Sequence, residues 1–279
     1  MNKLLPALFS RNWIVFAVAV TLLTACHGQS AKLIGNDPVA GEITTASQYD
    51  VLIKNGLVYD GSGGEPVLAD VAIVGDRIAA IGKVPGSAAD VIDASGKAVA
   101  PGFINMLSWA TESLIADGRS LSDIKQGVTL EVFGEGWSMG PLNDQLKQQM
   151  LQQQGDIRFP ISWTTLGEYL QFLENKGVAP NVASFVGATT VRMHVLGEDD
   201  VDPDAQQLVQ MQQLVRQAMR EGALGVGSSL IYAPAFYAET DELVALMQAA
   251  GEYGGRYISH LRSEGNRLLE SVDELIEIA

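Results

Sequence analysis

The sequence predicts an α/β chain in which a small β domain precedes a parallel sheet covered by helices. Two observations predict it. Residues 50–100 carry several short apolar runs parted by Gly-containing turns, the signature of a small β domain. From Pro101 onward short apolar strands alternate with helical patterns, the rhythm of βα units, and about five such units can be counted.

The elements follow in order. Residues 1–25 have the layout of a secretory signal: Lys3 and Arg11, an apolar run from Trp13 to Leu23, then Leu23-Thr24-Ala25-Cys26. The run is short of the roughly 20 apolar residues that a membrane-crossing helix needs. Leu-Thr-Ala-Cys resembles a bacterial lipobox, which implies removal of residues 1–25 and acylation of Cys26. The alternative is an ordinary signal or anchor with a chance cysteine. Cys26 is the sole cysteine, so an internal disulfide is excluded. The expected location is the cell envelope, lipid-anchored on the periplasmic side, with the outer membrane ahead of the inner. Residues 26–49, rich in Gly, Ser, Ala and Thr, read as a flexible tether.

In the β domain (50–100), Val51–Ile53 and Leu57–Tyr59 read as strands joined by an Asn55-Gly56 turn. Val71–Val74 and Arg77–Ile81 read as a hairpin closed by Gly75-Asp76, and Val91-Ile92 and Ala98–Ala100 as short strands. In residues 101–279 the predicted strands are Phe103-Ile104, Val128–Phe133, Val182–Val186, Leu224–Val226 and Arg256–Ser259. The predicted helices are Leu121–Gln126, Leu166–Glu174, one capped by Asp202 with Pro203 at its first position, one capped by Thr240, and one from near Asn266 to Ala279. An open five-stranded α/β sheet and an incomplete barrel both fit this pattern, because a closed barrel needs eight units and about 250 residues.

The formal net charge is −15, and removal of residues 1–25 takes away two cations and no carboxylate. That balance argues against nucleic acid as a partner.

Longer motifs carry a resemblance. Asp50–Gly63, Gly75-Asp76-Arg77-Ile78-Ala79-Ala80-Ile81-Gly82, Val91–Lys97 and Pro101-Gly102-Phe103-Ile104 are similar, in order, to the start of the amidohydrolase superfamily. Gly222–Pro234 and Tyr257–Glu264 resemble the N-acyl-D-amino-acid deacylases, the D-aminoacylases. The resemblance implies a metal-dependent (β/α)8 TIM-type barrel flanked by a small β-sandwich-like domain. It also implies hydrolysis of the C–N bond of small N-acyl amino acids or related amides by water activated on zinc, with one ion expected here. By this comparison the chain holds about five barrel units and is a truncated form, and the family's general-base aspartate is expected beyond Ala279.

The candidate residues follow from the few side chains able to bind zinc. His260 ends a strand in Ser259-His260-Leu261-Arg262 and matches a zinc-binding histidine of the family. Leu107 and Trp109 stand where the family has His-x-His, so the usual two-metal site is not expected. Gly134-Glu135-Gly136-Trp137-Ser138 stands where D-aminoacylases carry a zinc-bound cysteine. Glu135 either replaces that thiolate or is a loop carboxylate. Glu131 is a weaker candidate because it lies within the strand. His194 packs or binds a substrate group, since Ala188 stands nearer the family's histidine position. Tyr232 contacts substrate or lines the site. Arg262 pairs with Glu264 or faces the site. The expected function is metal-dependent amide hydrolysis; the alternative is a non-catalytic binding or scaffold lipoprotein on the same fold.

Overall fold

The structure, a computed structural model, describes residues 48–279. Cys26 and nearly all of the expected tether lie outside the described residues. Among the described residues, no helix is long and apolar enough to cross a membrane.

Strands β1 (Tyr49–Val58), β2 (Val67–Val74), β3 (Arg77–Gly82), β4 (Ala88–Asp93) and β5 (Ala98–Val99) form one sheet in the order β3-β2-β1-β4, with β5 also on β1. The β2–β3 hairpin turns where Gly75-Asp76 predict it. The Asn55-Gly56 pair differs from expectation: it is a bulge inside β1, not a turn between two strands. Asn55 takes φ 60°, and its N–H donates to Asp70 Oδ1 at 2.9 Å. Past the bulge β1 exchanges its partner, pairing with β4 over Tyr49–Lys54 and with β5 over Leu57-Val58. An Asn-Gly pair supplies the local positive φ for a bulge as readily as for a turn, and strands on both sides of β1 hold it straight. The sandwich-like expectation needs a second layer. Among the described residues there is one sheet, and Ile78, Ile81, Val91 and Ile92 stay exposed on β3 and β4.

The barrel part begins with β6 (Phe103–Asn105), followed by short helices α1 (Ser113–Ala116) and α2 (Leu121–Ile124). Then come β7 (Val128–Phe133), α3 (Asp144–Gln153), α4 (Leu166–Lys176), β8 (Asn181–Ser184), β9 (Val186–Gly187), α5 (Ala188–Leu196) and α6 (Ala205–Arg220). Strand β10 (Gly225–Ser229), a 3-10 turn at Ala235–Tyr237, α7 (Thr240–Gly251), β11 (Arg256–His260) and α8 (Leu268–Ile278) complete the order. Every pairing is parallel: β6-β7-β8 and β9-β10-β11. Only Phe185 separates β8 from β9. Its N–H donates to Phe133 O at 2.8 Å, while the Leu224 N–H donates to Ser184 O at 2.9 Å, so the two short strands act as one rung between β7 and β10. Five consecutive parallel rungs with helices outside make an incomplete TIM-type barrel wall, as the sequence predicts.

Helix starts follow side-chain chemistry more closely than position. The cap of α6 is Asp204, two residues beyond the predicted Asp202. Asp204 accepts from the N–H groups of Gln206 and Gln207 at 2.8 Å each, and the Gln207 amide reaches back to the Asp204 N–H at 2.8 Å. That reciprocal box needs Glu or Gln three residues after the cap; Asp202 has Ala205 there. Helix α7 starts with Thr240 as its first residue rather than its cap, because the Thr240 hydroxyl donates to Glu274 of α8 at 3.0 Å.

One buried core joins the barrel helices. Trp163 is at its centre, stacked on Phe159 at 6.1 Å and tilted against Tyr169 and Phe172 at 5.2 and 5.1 Å. The polar atoms of this cluster tether loops. Trp163 Nε1 donates to Met139 O at 2.7 Å beyond β7, and the Tyr169 hydroxyl donates to Thr111 O at 2.9 Å beyond β6. Arg192 of α5 and Glu242 of α7 form a fully buried ion pair, and burial lifts the Glu242 carboxyl to about 7 against the pull of Arg192.

Candidate active site

The chain between β7 and α3 reaches across the strand ends, and its glycines permit this. Gly134 and Gly136 take φ of 97° and 80°, which L side chains rarely adopt. A Cβ on Gly134 would overlap the Phe185 carbonyl, and one on Gly136 would come within 2.6 Å of Ser229 Oγ. The opposite surfaces are bare too, since a Cβ on Gly187 or Gly227 would overlap the Gly136 or Gly134 carbonyl. Hydrogen bonds finish the anchoring: the Thr189 N–H donates to Gly136 O at 3.0 Å, and Ser229 Oγ to Glu135 O at 3.2 Å. Glu135 is thereby fixed at the C-terminal ends of the strands, the face where barrels place chemistry.

His260, the last residue of β11, faces Glu135 with Nδ1 3.9 Å from Oε2. Its Nε2 lies 3.4 Å from Glu264 Oε1. Tyr232 packs edge-on against the imidazole at 5.2 Å between ring centres. Burial is the largest influence on the Glu135 carboxyl and raises it above its ordinary value; the imidazole opposes that rise and Glu264 adds to it. A cavity of about 440 Å³ opens here, lined by Leu107, Trp109, Glu135, Trp137, Tyr232 and His260 among others. The sequence-predicted Glu135, His260 and Tyr232 therefore come together.

Leu107 and Trp109 also reach the cavity, and the alternation of side chains explains how. Ser108, between them, donates its hydroxyl to Glu131 Oε2 at 2.6 Å on the other side. Glu131 is fully buried and also accepts from Ser120 Oγ at 2.8 Å, so its oxygens are engaged away from the cavity.

Two predicted residues stand elsewhere. Arg262 does not pair with Glu264 and does not line the cavity. Its guanidinium donates to Glu274 of α8 at 2.7–3.1 Å and to the carbonyls of Phe236 and Ala238 at 2.7 Å each. A planar fork is satisfied better by one carboxylate and two carbonyls than by a flexible neighbour, and Glu264 is left facing His260. His194 lies on α5 with Nδ1 3.4 Å from Pro141 O, lining a different cavity beside Asn143 and Glu198. Sequence reasoning missed Thr189 and Ser229. Their detectable signal is position, Ser229 standing at the end of one barrel strand and Thr189 two residues past the end of another.

As donors for a metal ion, Glu135 and His260 fit. Two ligands on one tetrahedral zinc sit about 3.3 Å apart, given bonds of about 2.0–2.1 Å, so a small contraction from 3.9 Å suffices. The pair fills two positions of such a shell. Among the described residues no group of three His, Cys, Asp or Glu side chains is arranged to hold a metal.

Five parallel βα units follow a small sheet, and a carboxylate and an imidazole meet at the strand ends of this TIM-type barrel wall. The comparisons agree. Over 235 residues the chain is 33% identical to the D-aminoacylase of Alcaligenes xylosoxydans xylosoxydans, covering 82% of this chain and 48% of that protein. The N-acyl-D-aspartate deacylase of the same organism is 33% identical over 237 residues, covering 83% and 47%. The crystal structure of a D-aminoacylase, described as a novel subset of amidohydrolases, superposes with a TM-score of 0.72 at 33% identity over 82% of this chain and 49% of the other. The N-acyl-D-glutamate deacylase of Bordetella bronchiseptica, complexed with zinc and a phosphonate mimic of the tetrahedral intermediate, gives 0.71 at 28% identity, over 82% and 48%. No protein-family model matches the sequence. The chain spans about half the length of the curated relatives it matches. Over the matched residues it is homologous to these amidohydrolases and shares their fold.

The glycine anchoring makes a prediction. Gly134→Ala is expected to cost at least about 2 kcal/mol, from the positive φ and the overlap with Phe185. Gly155→Ala, at an open surface site, is expected to stay within about 0.5 kcal/mol. Urea denaturation compares them, and equal losses would contradict the anchoring.

Proposed function

We propose that this chain carries the metal-gripping half of an enzyme that hydrolyses the amide of N-acyl-D-amino acids or related amides. The observation that carries the proposal is the convergence of Glu135 and His260 in one cavity at the strand ends. Glu135 and His260 would hold one zinc ion. A divalent metal at that point supplies Lewis-acid polarisation and an activated water.

The chain's own residues prepare the rest. Glu264 Oε1, 3.4 Å from Nε2 of His260, lies on the far side of the imidazole and helps orient the ring with Nδ1 toward Glu135. Partial burial of Glu135 lowers the local dielectric and strengthens its attraction for a cation. Leu107 and Trp109 offer no donor atoms where a second ion would sit, which favours a single metal. Trp109, Trp137 and Tyr232 give the cavity an aromatic lining beside the pair. The same apolar replacement supports the second reading, a binding lipoprotein without catalysis.

The test is release of free amino acid from N-acyl-D-amino acids by the purified chain in zinc-containing buffer. Hydrolysis that falls about 100-fold or more in Glu135→Ala and in His260→Ala supports the proposal, the scale on which even outer-shell partners of a metal matter. Hydrolysis unaffected by both substitutions sinks it. Substrate binding with zinc retained and no turnover favours the binding reading.

We also propose export and lipid anchoring through Cys26 on the periplasmic side, supported by the basic, apolar and lipobox order of residues 1–26. Cells fed labelled palmitate are expected to incorporate the label into the parent protein and not into Cys26→Ser. No label in the parent, or equal label in the variant, would contradict it.

A further inference from the structure

A second cavity, of about 470 Å³, adjoins the first and shares Trp109, Glu135 and Trp137 with it. It runs from the loop after β7 toward α3, where Met139, Met150 and Ile157 complete an apolar wall. The hydrolase reading does not use this space. We infer that it is the pocket for the acyl group, and that the substrate carries a medium-length or aromatic acyl chain rather than acetyl. The inference rests on the hydrolase reading for the position of the scissile bond beside Glu135.

Three features support it. The first is position: Glu135 stands at the junction, so a carbonyl held beside Glu135 and His260 has one arm in each cavity. The second is charge. The charged residues lining this cavity are Glu112 and Glu135, both acidic. The carboxylate of an N-acyl amino acid would be repelled there, whereas a neutral acyl chain is not. The other cavity has the His260 imidazole where this one has Glu112, so the carboxylate arm is assigned to the His260 side. The third is size and lining. The volume lies in the range of ordinary ligand sites, about 300–1,000 Å³, and far exceeds what an acetyl methyl fills. Two methionines add an adaptable surface suited to flexible chains. Trp109, standing where the family has a metal-binding histidine, forms part of the wall.

The test measures binding of a non-hydrolysable series in which the amide N–H is replaced by CH2, with acyl arms of two, four, six and eight carbons. Calorimetry on the full chain with zinc present gives the dissociation constants. Affinity is expected to tighten about threefold to fourfold per added methylene and then level off as the pocket fills. Met150→Trp, filling the wall, is expected to abolish the gain while leaving binding of the two-carbon member and of zinc unchanged. Gln153→Trp, at the exposed end of α3 on the rim, serves as a second block that spares the core. A flat series in the parent chain, or a gain that survives both substitutions, overturns the acyl pocket. The two proposals fail separately. Chain-length dependence with hydrolysis indifferent to Glu135 and His260 removes the hydrolase reading, and a flat series with hydrolysis intact removes the pocket.

Discussion

The site depends on backbone meeting backbone between Gly134-Glu135-Gly136 and the rungs beside it. Glycines stand on both sides, at 134 and 136 on the loop and at 187 and 227 on the strands. Removing four side chains lets the loop lie across the strand ends without a gap. Interior packing tolerates little change in volume, so this closeness fixes the loop to one path. Glu135 is the one residue of the three with a side chain, and that side chain projects into the cavity. Trp163 and Tyr169 reinforce the arrangement from outside, each using its polar atom to hold a site loop.

On this frame Leu107 and Trp109 give the cavity an apolar side. Leu107 and Trp109 point inward because the residue between them, Ser108, is drawn to Glu131. The alternation places two side chains without donors at the mouth of β6. The carboxylate and imidazole sit across from them, in the loop after β7 and at the end of β11. One polar pair facing an aromatic wall fits the single cation and the apolar acyl chain proposed above.

Much of this was legible in the sequence. Strand β7 begins and ends where its apolar run does, and the hairpin at Gly75-Asp76 closes where its turn residues stand, because each rests on local chemistry. The convergence of Glu135, Tyr232 and His260 could be anticipated because strand ends of a barrel gather at one face. What failed depended on partners distant in sequence. The Asn55-Gly56 bulge exists because β4 and β5 divide one edge of β1 between them. Thr240 lost its capping role to Glu274, and Arg262 lost Glu264 to the same carboxylate. Helices α3 and α5 went unpredicted: α3 is rich in Gln and weakly amphipathic, and α5 is buried on nearly all sides, so neither shows a single apolar stripe.

Whether Glu135 and His260 hold a metal together decides what this site can do. Calorimetric titration of the folded chain with zinc, repeated for Glu135→Ala and His260→Ala, tests this most directly. One ion per chain is expected, with affinity lowered about 100-fold or more in each variant. Zinc bound with unchanged affinity in both variants, or not bound by the parent chain, would contradict it.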